Sequence, residues 1–372
     1  MVEHDLAKVD TRVRFPSLAP EGKIPGSGRV FLYLSSANGD NGPMIELHCH
    51  LDGSLSKEDV VYLCRLNHKE VDIDKVKLSA DKSVRDLTDY IACFEFPISL
   101  LQTYESIVYA TYSLYKRLSK QGILYAEVRF APQQSLRQGL SQEQVVQASI
   151  KGLEMAKQET GIAGQLILCL MRGVNTHEAN FETVDVAEKY LGMGVCALDL
   201  AGAEIPFPTS DYAKEFSLAR NKGIPFTIHA GEAVGPQSVW EAVRFGAVRI
   251  GHGIHAMEDP QLMAFIQSTR IGLEVCPTSE VDTHCIPSYE ACPIPEFFQR
   301  DLLFCLGADD MTISSITLPE EFKKASKAFG IDADKKKKLL LNAVEMAFLD
   351  GERKDFLREK VLKKFQDPDD EF

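Results

Sequence analysis

From residue 44 onward, short apolar runs alternate with longer amphipathic ones, and this recurrence limits what the chain can become. Eight of the short runs read as strands: 44–48, 123–130, 165–171, 195–201, 225–229, 249–252, 272–276 and 302–307. Several are apolar at successive positions, so both faces must be covered, as in a buried parallel sheet. Helical patterns lie between them, for example at 142–159, 211–221 and 237–245. Strand alternating with helix means parallel crossover units. Eight such units predict an α/β fold of the closed (β/α)8 barrel type. The stretch 55–118 follows the first strand and is mostly helical, which predicts a lid inserted over the barrel mouth. Residues 333–364 read as one or two C-terminal helices closing the barrel. The lysine run 335–338 reads as a solvated helix face.

Residues 1–43 differ from the rest. They are rich in Gly, Pro, Ser and Asp, and read as a loosely held N-terminal extension or leader, with Met44 a sensible native start. Residues 44–372 then form a single barrel domain. Aspartate and glutamate total 54 against 41 lysines and arginines in 372 residues, a net charge of −13. No excess positive field is present to attract phosphates, which argues against a nucleic-acid or anionic-membrane partner. No run approaches the roughly 18 apolar residues that span a bilayer, and no basic start plus apolar core marks a secretory signal. The 9 cysteines contain no C-x-x-C pair, and several sit in apolar runs. They read as reduced, buried thiols of a cytoplasmic protein.

A barrel makes a sharp demand: reactive groups belong at the C-terminal ends of its strands. The first strand runs into His48-Cys49-His50, whose imidazoles share one face because they are two apart. The fifth runs into His229-Ala230-Gly231-Glu232, the sixth into His252, and the eighth into Asp309-Asp310. Singly, each has a plain explanation: a hydrogen-bonded histidine, a helix cap at Asp309-Asp310, or a first-turn carboxylate at Glu232. Together they face one mouth. Several imidazoles plus a carboxylate suit a divalent transition metal, zinc foremost. His255 and His284 read as structural or rim residues.

At this point the chain resembles the adenosine deaminases of the amidohydrolase superfamily. Glu46-Leu47-His48-Cys49-His50-Leu51-Asp52-Gly53-Ser54-Leu55 is similar to their opening motif, and Asp199-Leu200-Ala201-Gly202-Ala203-Glu204 to their strand-four motif. His229-Ala230-Gly231-Glu232, Ile250-Gly251-His252-Gly253 and Asp309-Asp310 resemble those of strands five, six and eight. Weaker similarity runs through 125–132 and 342–345. The resemblance implies one Zn2+ per chain, or another divalent metal, held by His48, His50, His229 and Asp309. It implies catalytic roles for Glu232, His252 and Asp309, with Glu232 protonating purine N1. Substrate contacts would come from His50, Asp52 (the ribose 5′-hydroxyl), Gly202 (N3) and Asp310 (N7), with Phe94 and Phe96 as an apolar wall.

The implied reaction is hydrolysis of adenosine and 2′-deoxyadenosine to the inosine-type product and ammonia. A metal-activated hydroxide would attack C6, in purine salvage. The implied partner is a small purine nucleoside, and oligomeric state is not set by the sequence. Two alternatives are a deaminase of adenine or of a modified adenine nucleotide on the same barrel, and a non-catalytic adenosine-binding protein. Two departures from the family pattern stand out. Glu280 replaces the usual Asn in Cys276-Pro277-Thr278-Ser279-Glu280, which would add charge near the mouth. Ala308 precedes the aspartate pair where a hydroxyl residue is common, which would remove a supporting hydrogen bond.

Overall fold

The structure is a computed structural model, and it describes residues 42–365 apart from Lys82. The expectation for 1–43 therefore lies outside the described residues, save for its last two positions.

Eight parallel strands alternate with helices: β1 (Met44–His50), β2 (Ile123–Phe130), β3 (Ala163–Met171), β4 (Val195–Ala201), β5 (Thr227–Ala230), β6 (Arg249–His252), β7 (Gly272–Val275) and β8 (Phe304–Leu306). They pair in sequence order as two four-stranded sheets. Parallel bridges join the two seams, Cys49 to Asp309 and Leu198 to Phe226, so the barrel closes. The first seam explains why β1 extends two residues beyond the expected 48. Asp309 donates to the His48 carbonyl at 2.8 Å and accepts from the His50 amide at 2.9 Å, which carries the ladder into the site. The β8 ladder is shorter than the expected 302–307, and β5 starts two residues after 225.

Burial follows the pattern read from the sequence. Every residue of β1, β4, β5, β6, β7 and β8 is buried, since helices cover the outside and side chains fill the inside. The inside of this barrel is polar. Tyr125, Glu127, Arg129, Asp199, Arg249 and Glu274 are all buried within it. Such charges are tolerable only when each is paired and hydrogen-bonded. They are: Arg249 meets Glu127 at 2.5 Å and Glu274 at 2.6 Å, and Arg129 meets Glu274 at 2.7 Å and Asp199 at 2.8 Å.

The lid is smaller than 55–118. The helix Tyr104–Lys120 packs on β2 and on the helix Gln142–Thr160, so it is the barrel's own first crossover helix. The segments Leu87–Ile91 and Glu95–Leu100 carry residues that line the mouth. At the opposite end, the helices Ala333–Met346 and Gly351–Lys364 match the expected C-terminal pair. The turn between them plugs the barrel floor: Phe348 donates its N–H to Glu127 at 2.6 Å, and its carbonyl accepts from Gln165 at 2.7 Å.

Candidate active site

The strand ends bring four donor atoms into a ring. His48 Nε2 lies 3.1 Å from His229 Nε2 and 3.2 Å from Asp309 Oδ1. His50 Nε2 lies 3.3 Å from each of the same two atoms. Ligands about 2.0–2.1 Å from a tetrahedral ion stand about 3.3 Å from one another. The ring therefore has the edge lengths of a metal's donor set, and its nitrogen and carboxylate chemistry fits a divalent transition metal. His252 also converges, and His48, His229, His252 and Asp309 have donor atoms within 4.8 Å of one another. Its Nε2 is more distant, however, 3.9 Å from Asp309 and 3.7 Å from Glu232. His50 is the closer geometric match for the fourth position.

The outer nitrogens are held by carboxylates. His48 Nδ1 is 2.8 Å from Glu274 Oε2, and His229 Nδ1 is 2.9 Å from Asp199 Oδ2. A carboxylate at the far nitrogen fixes ring orientation and leaves Nε2 as the inward lone pair. Arg129 bridges both carboxylates and also donates to the Leu47 carbonyl at 2.6 Å. Burial alone would raise Glu274 and Asp199. The Arg129 and Arg249 charges hold Glu274 well below the usual carboxylate range, and His229 and Arg129 do the same for Asp199. Burial lowers His50 and His229, which favours the neutral, metal-binding imidazole. Asp309 and His252 sit at φ +56° and +60°, left-handed conformations that non-glycine residues adopt at a cost of about 1–3 kcal/mol. The surrounding ladder holds this strain.

Beside the ring, Glu232 is buried, and that burial raises its pKa. Its turn is fixed by Glu204, which accepts from the Gly231, Glu232 and Ala233 amides at 2.7, 3.1 and 2.9 Å and from the Ser238 hydroxyl. A cavity of about 250 Å3 opens next to these groups, a size for one small molecule. His50, Asp52, Gly202, His229, Glu232, His252, Asp309 and Asp310 all line it. Asp52 Oδ1 and Asp310 Oδ1 are buried without a hydrogen-bond partner among the described residues. Burial pushes Asp52 up to about 6. Asp310 is raised well above the usual range by burial and by the neighbouring Asp309 and Asp52 charges. Gly202 has φ +110°, a conformation glycine adopts freely, and a Cβ there would stand 3.2 Å from Arg172.

The apolar wall corrects one expectation. Leu87, Ile91, Phe94 and Ile98 line the cavity and recur at helical spacing. Phe96 lies two residues out of phase with that stripe and is not among the lining residues. The spacing 87, 91, 94, 98 was available in the sequence and picks Phe94 over Phe96. Glu280 is corrected too. It is buried behind His252 and not at the mouth. Its Oε1 accepts from the Cys276 amide at 3.1 Å and lies 3.6 Å from His252 Nδ1, and its Oε2 accepts from the Cys292 thiol at 3.3 Å. Burial lowers His252, but the Glu232, Glu280 and Asp309 carboxylates outweigh it and carry the imidazole up to about 10. Ala308 is anchored through its backbone, whose N–H donates to Glu46 at 3.1 Å. His255 pairs with Glu258, and His284 meets the Val84 carbonyl; neither lines the cavity.

Sequence reasoning missed Glu274, Arg129 and Tyr90. A charged residue inside an apolar strand run was the available signal for the first two. It marks a side chain that must be paired inside the barrel.

A closed (β/α)8 barrel with a His/Asp donor ring and a buried acid at its C-terminal mouth defines a metal-dependent hydrolase of the amidohydrolase type. Within that class the chain belongs to the adenosine deaminase family, whose profile matches residues 43–364. It is 38% identical over 331 residues to the adenosine deaminase of Haemophilus ducreyi, covering 87% of this chain and 96% of that protein. Among solved structures it shares the fold of an adenine deaminase from Arthrobacter aurescens, with a TM-score of 0.81 and 24% identity, covering 88% of this chain and 100% of that one. It also shares the fold of an amidohydrolase from Burkholderia ambifaria with bound Zn, with a TM-score of 0.80 and 21% identity, covering 91% and 95%. No helix among the described residues is long and apolar enough to cross a membrane.

Proposed function

We propose that the chain hydrolyses adenosine, and 2′-deoxyadenosine, to the inosine-type nucleoside and ammonia, with Glu232 as the acid. The observation that carries this reading is the placement of Glu232. It is a buried carboxyl with a raised pKa, on the same cavity as the four-donor ring. Zinc is the proposed ion, held by His48, His50, His229 and Asp309. When bound, it lowers the pKa of coordinated water from about 15.7 toward about 7.

The chain's own residues supply the rest. Glu232 donates a proton to purine N1 as electron density moves there during attack at C6. His252, 3.7 Å from Glu232 and 3.9 Å from Asp309 and held as the imidazolium by the carboxylates around it, orients the attacking water and gives its own proton to the C6 amino group. Ammonia leaves with that proton, and the two protons of the water restore Glu232 and His252. Gly202 offers its N–H to N3, Asp310 meets N7, Asp52 meets the ribose 5′-hydroxyl, and Phe94 covers the base. Among the described residues that line the cavity, Arg137 is the one guanidinium, and no lysine stands beside it. That balance favours a neutral nucleoside over a phosphorylated one.

The test is ammonia release from adenosine and from adenine, with zinc-loaded and chelator-stripped protein. Metal-dependent release that favours adenosine is expected. Preference for adenine would overturn the substrate, and release unaffected by stripping would overturn the metal.

A further inference from the structure

The apolar wall of the cavity carries one hydroxyl. Tyr90 lies on the Leu87–Ile91 helix, 2% exposed, in a cluster with Val84, Cys93 and Ile313, its ring edge-on to Phe94 at 6.2 Å. Packing alone does not require a phenol there, and a buried phenol needs a partner. Tyr90 Oη donates to Asp310 Oδ2 at 3.0 Å and lies 2.8 Å from Ser314 Oγ. A hydroxyl has one proton to give. With that proton on the carboxylate, Tyr90 accepts from Ser314, and an ordered chain runs from Ser314 through Tyr90 to Asp310. The Ser314 amide in turn donates to the Asp310 carbonyl at 2.8 Å. Asp310 Oδ1 is left without a partner among the described residues. The backbone at Gly53 makes room for it: a Cβ there would stand 1.7 Å away.

We propose that Tyr90 is a positioning residue for the purine, its hydroxyl occupying Asp310 Oδ2 so that Oδ1 is the oxygen presented to the five-membered ring. The proposal rests on the reading of Asp310 as the group that meets N7. It makes Tyr90 a determinant of which heterocycle is accepted. It also ties the Leu87–Ile91 segment to the site, because that segment carries the hydroxyl that meets Asp310.

The test is competitive inhibition by purine riboside and by its 7-deaza counterpart, which lacks the ring nitrogen. The zinc-loaded wild type is compared with the variants Tyr90→Phe, Ser314→Ala and Asp310→Ala. Tyr90→Phe keeps the ring and removes only the hydroxyl. It should weaken purine riboside roughly tenfold, the scale of one hydrogen bond to a carboxylate, and leave the 7-deaza compound within about twofold. Ser314→Ala should act in the same direction with a smaller effect, and it remains informative should Tyr90→Phe fold poorly. Equal weakening of both compounds by Tyr90→Phe would show that the hydroxyl only shapes the wall, and would overturn the proposal. If Asp310→Ala discriminates between the compounds and Tyr90→Phe does not, the Tyr90 proposal alone falls. If Asp310→Ala does not discriminate, the N7 reading falls and takes this proposal with it.

Discussion

Replacing Glu274 with glutamine tests whether the buried charge network shapes the donor ring. Glu274 touches neither cavity nor substrate. Its Oε2 accepts from Arg129 at 2.7 Å and faces His48 Nδ1 at 2.8 Å, while its Oε1 accepts from Arg249 at 2.6 Å and from Thr227 at 2.9 Å. An amide has nearly the same shape but presents donors on one side. Either the His48–Arg129 edge or the Arg249–Thr227 edge must then set donor against donor. Breaking a buried pair outright costs about 3–5 kcal/mol. Here each guanidinium keeps a second carboxylate, Asp199 or Glu127, so the expected loss is about 2–4 kcal/mol. That is a large share of a domain stability of about 5–15 kcal/mol. His48 also loses the carboxylate at its outer nitrogen, which should weaken metal binding by about 10–100-fold. Urea unfolding of stripped protein reads the first effect, and zinc competition with a chromophoric chelator reads the second. The pH sense is fixed as well. Glu274 is held well below its usual 4.5, so its contribution is complete above that value and is lost only as pH falls through the lowered pKa. The stability gap should therefore be flat from neutral pH down to about 5 and close only in acid. An unchanged unfolding midpoint together with unchanged zinc affinity would refute the reasoning.

Glu232→Gln should retain bound zinc, measured by elemental analysis, and lose roughly 10²–10⁴-fold in kcat; near-normal turnover would remove Glu232 from the acid role. Because burial raises the Glu232 pKa, kcat/KM should fall as pH rises through it, and a pH–rate profile reads that limb directly. Asp52 is pushed up to about 6, so the ligand-free fold loses stability as pH rises from about 4 to about 6. Asp52→Asn should relieve this by about 3 kcal/mol in denaturant titration above pH 6 while raising KM for adenosine; a destabilised variant with unchanged KM would contradict both effects. Phe94→Ala should raise KM about tenfold, and Phe96→Ala should leave it within about twofold, since only Phe94 lines the cavity. The reverse order would place the wall elsewhere.

The parts of the site that were legible share one property: the chemistry lies within a few residues of a strand end. His48 and His50 alternate on one strand, and His229 and Glu232 span one strand-to-loop turn. The eight-strand count came from the same local pattern. Strand limits were less legible because they depend on partners. β1 reaches His50 only because Asp309, some 260 positions later, continues its ladder. The lid was overdrawn for a similar reason. A helical period marks 104–120 as helix, but only its packing on β2 and the helix Gln142–Thr160 shows that it belongs to the barrel wall.

Glu280 shows most clearly what a linear reading leaves out. Its position after strand seven suggested a carboxylate at the mouth. The helix Pro277–Asp282 turns it inward, where it holds the Cys276 amide and faces His252 Nδ1. A buried carboxylate at that place requires a compensating positive group. Among its described neighbours His252 is the imidazole in reach, on the same cavity as Glu232. The family departure therefore bears on the residue proposed to handle the proton of the attacking oxygen, and not on the entrance. The donor ring itself is untouched by the departure, because Glu280 is a partner of none of its four atoms.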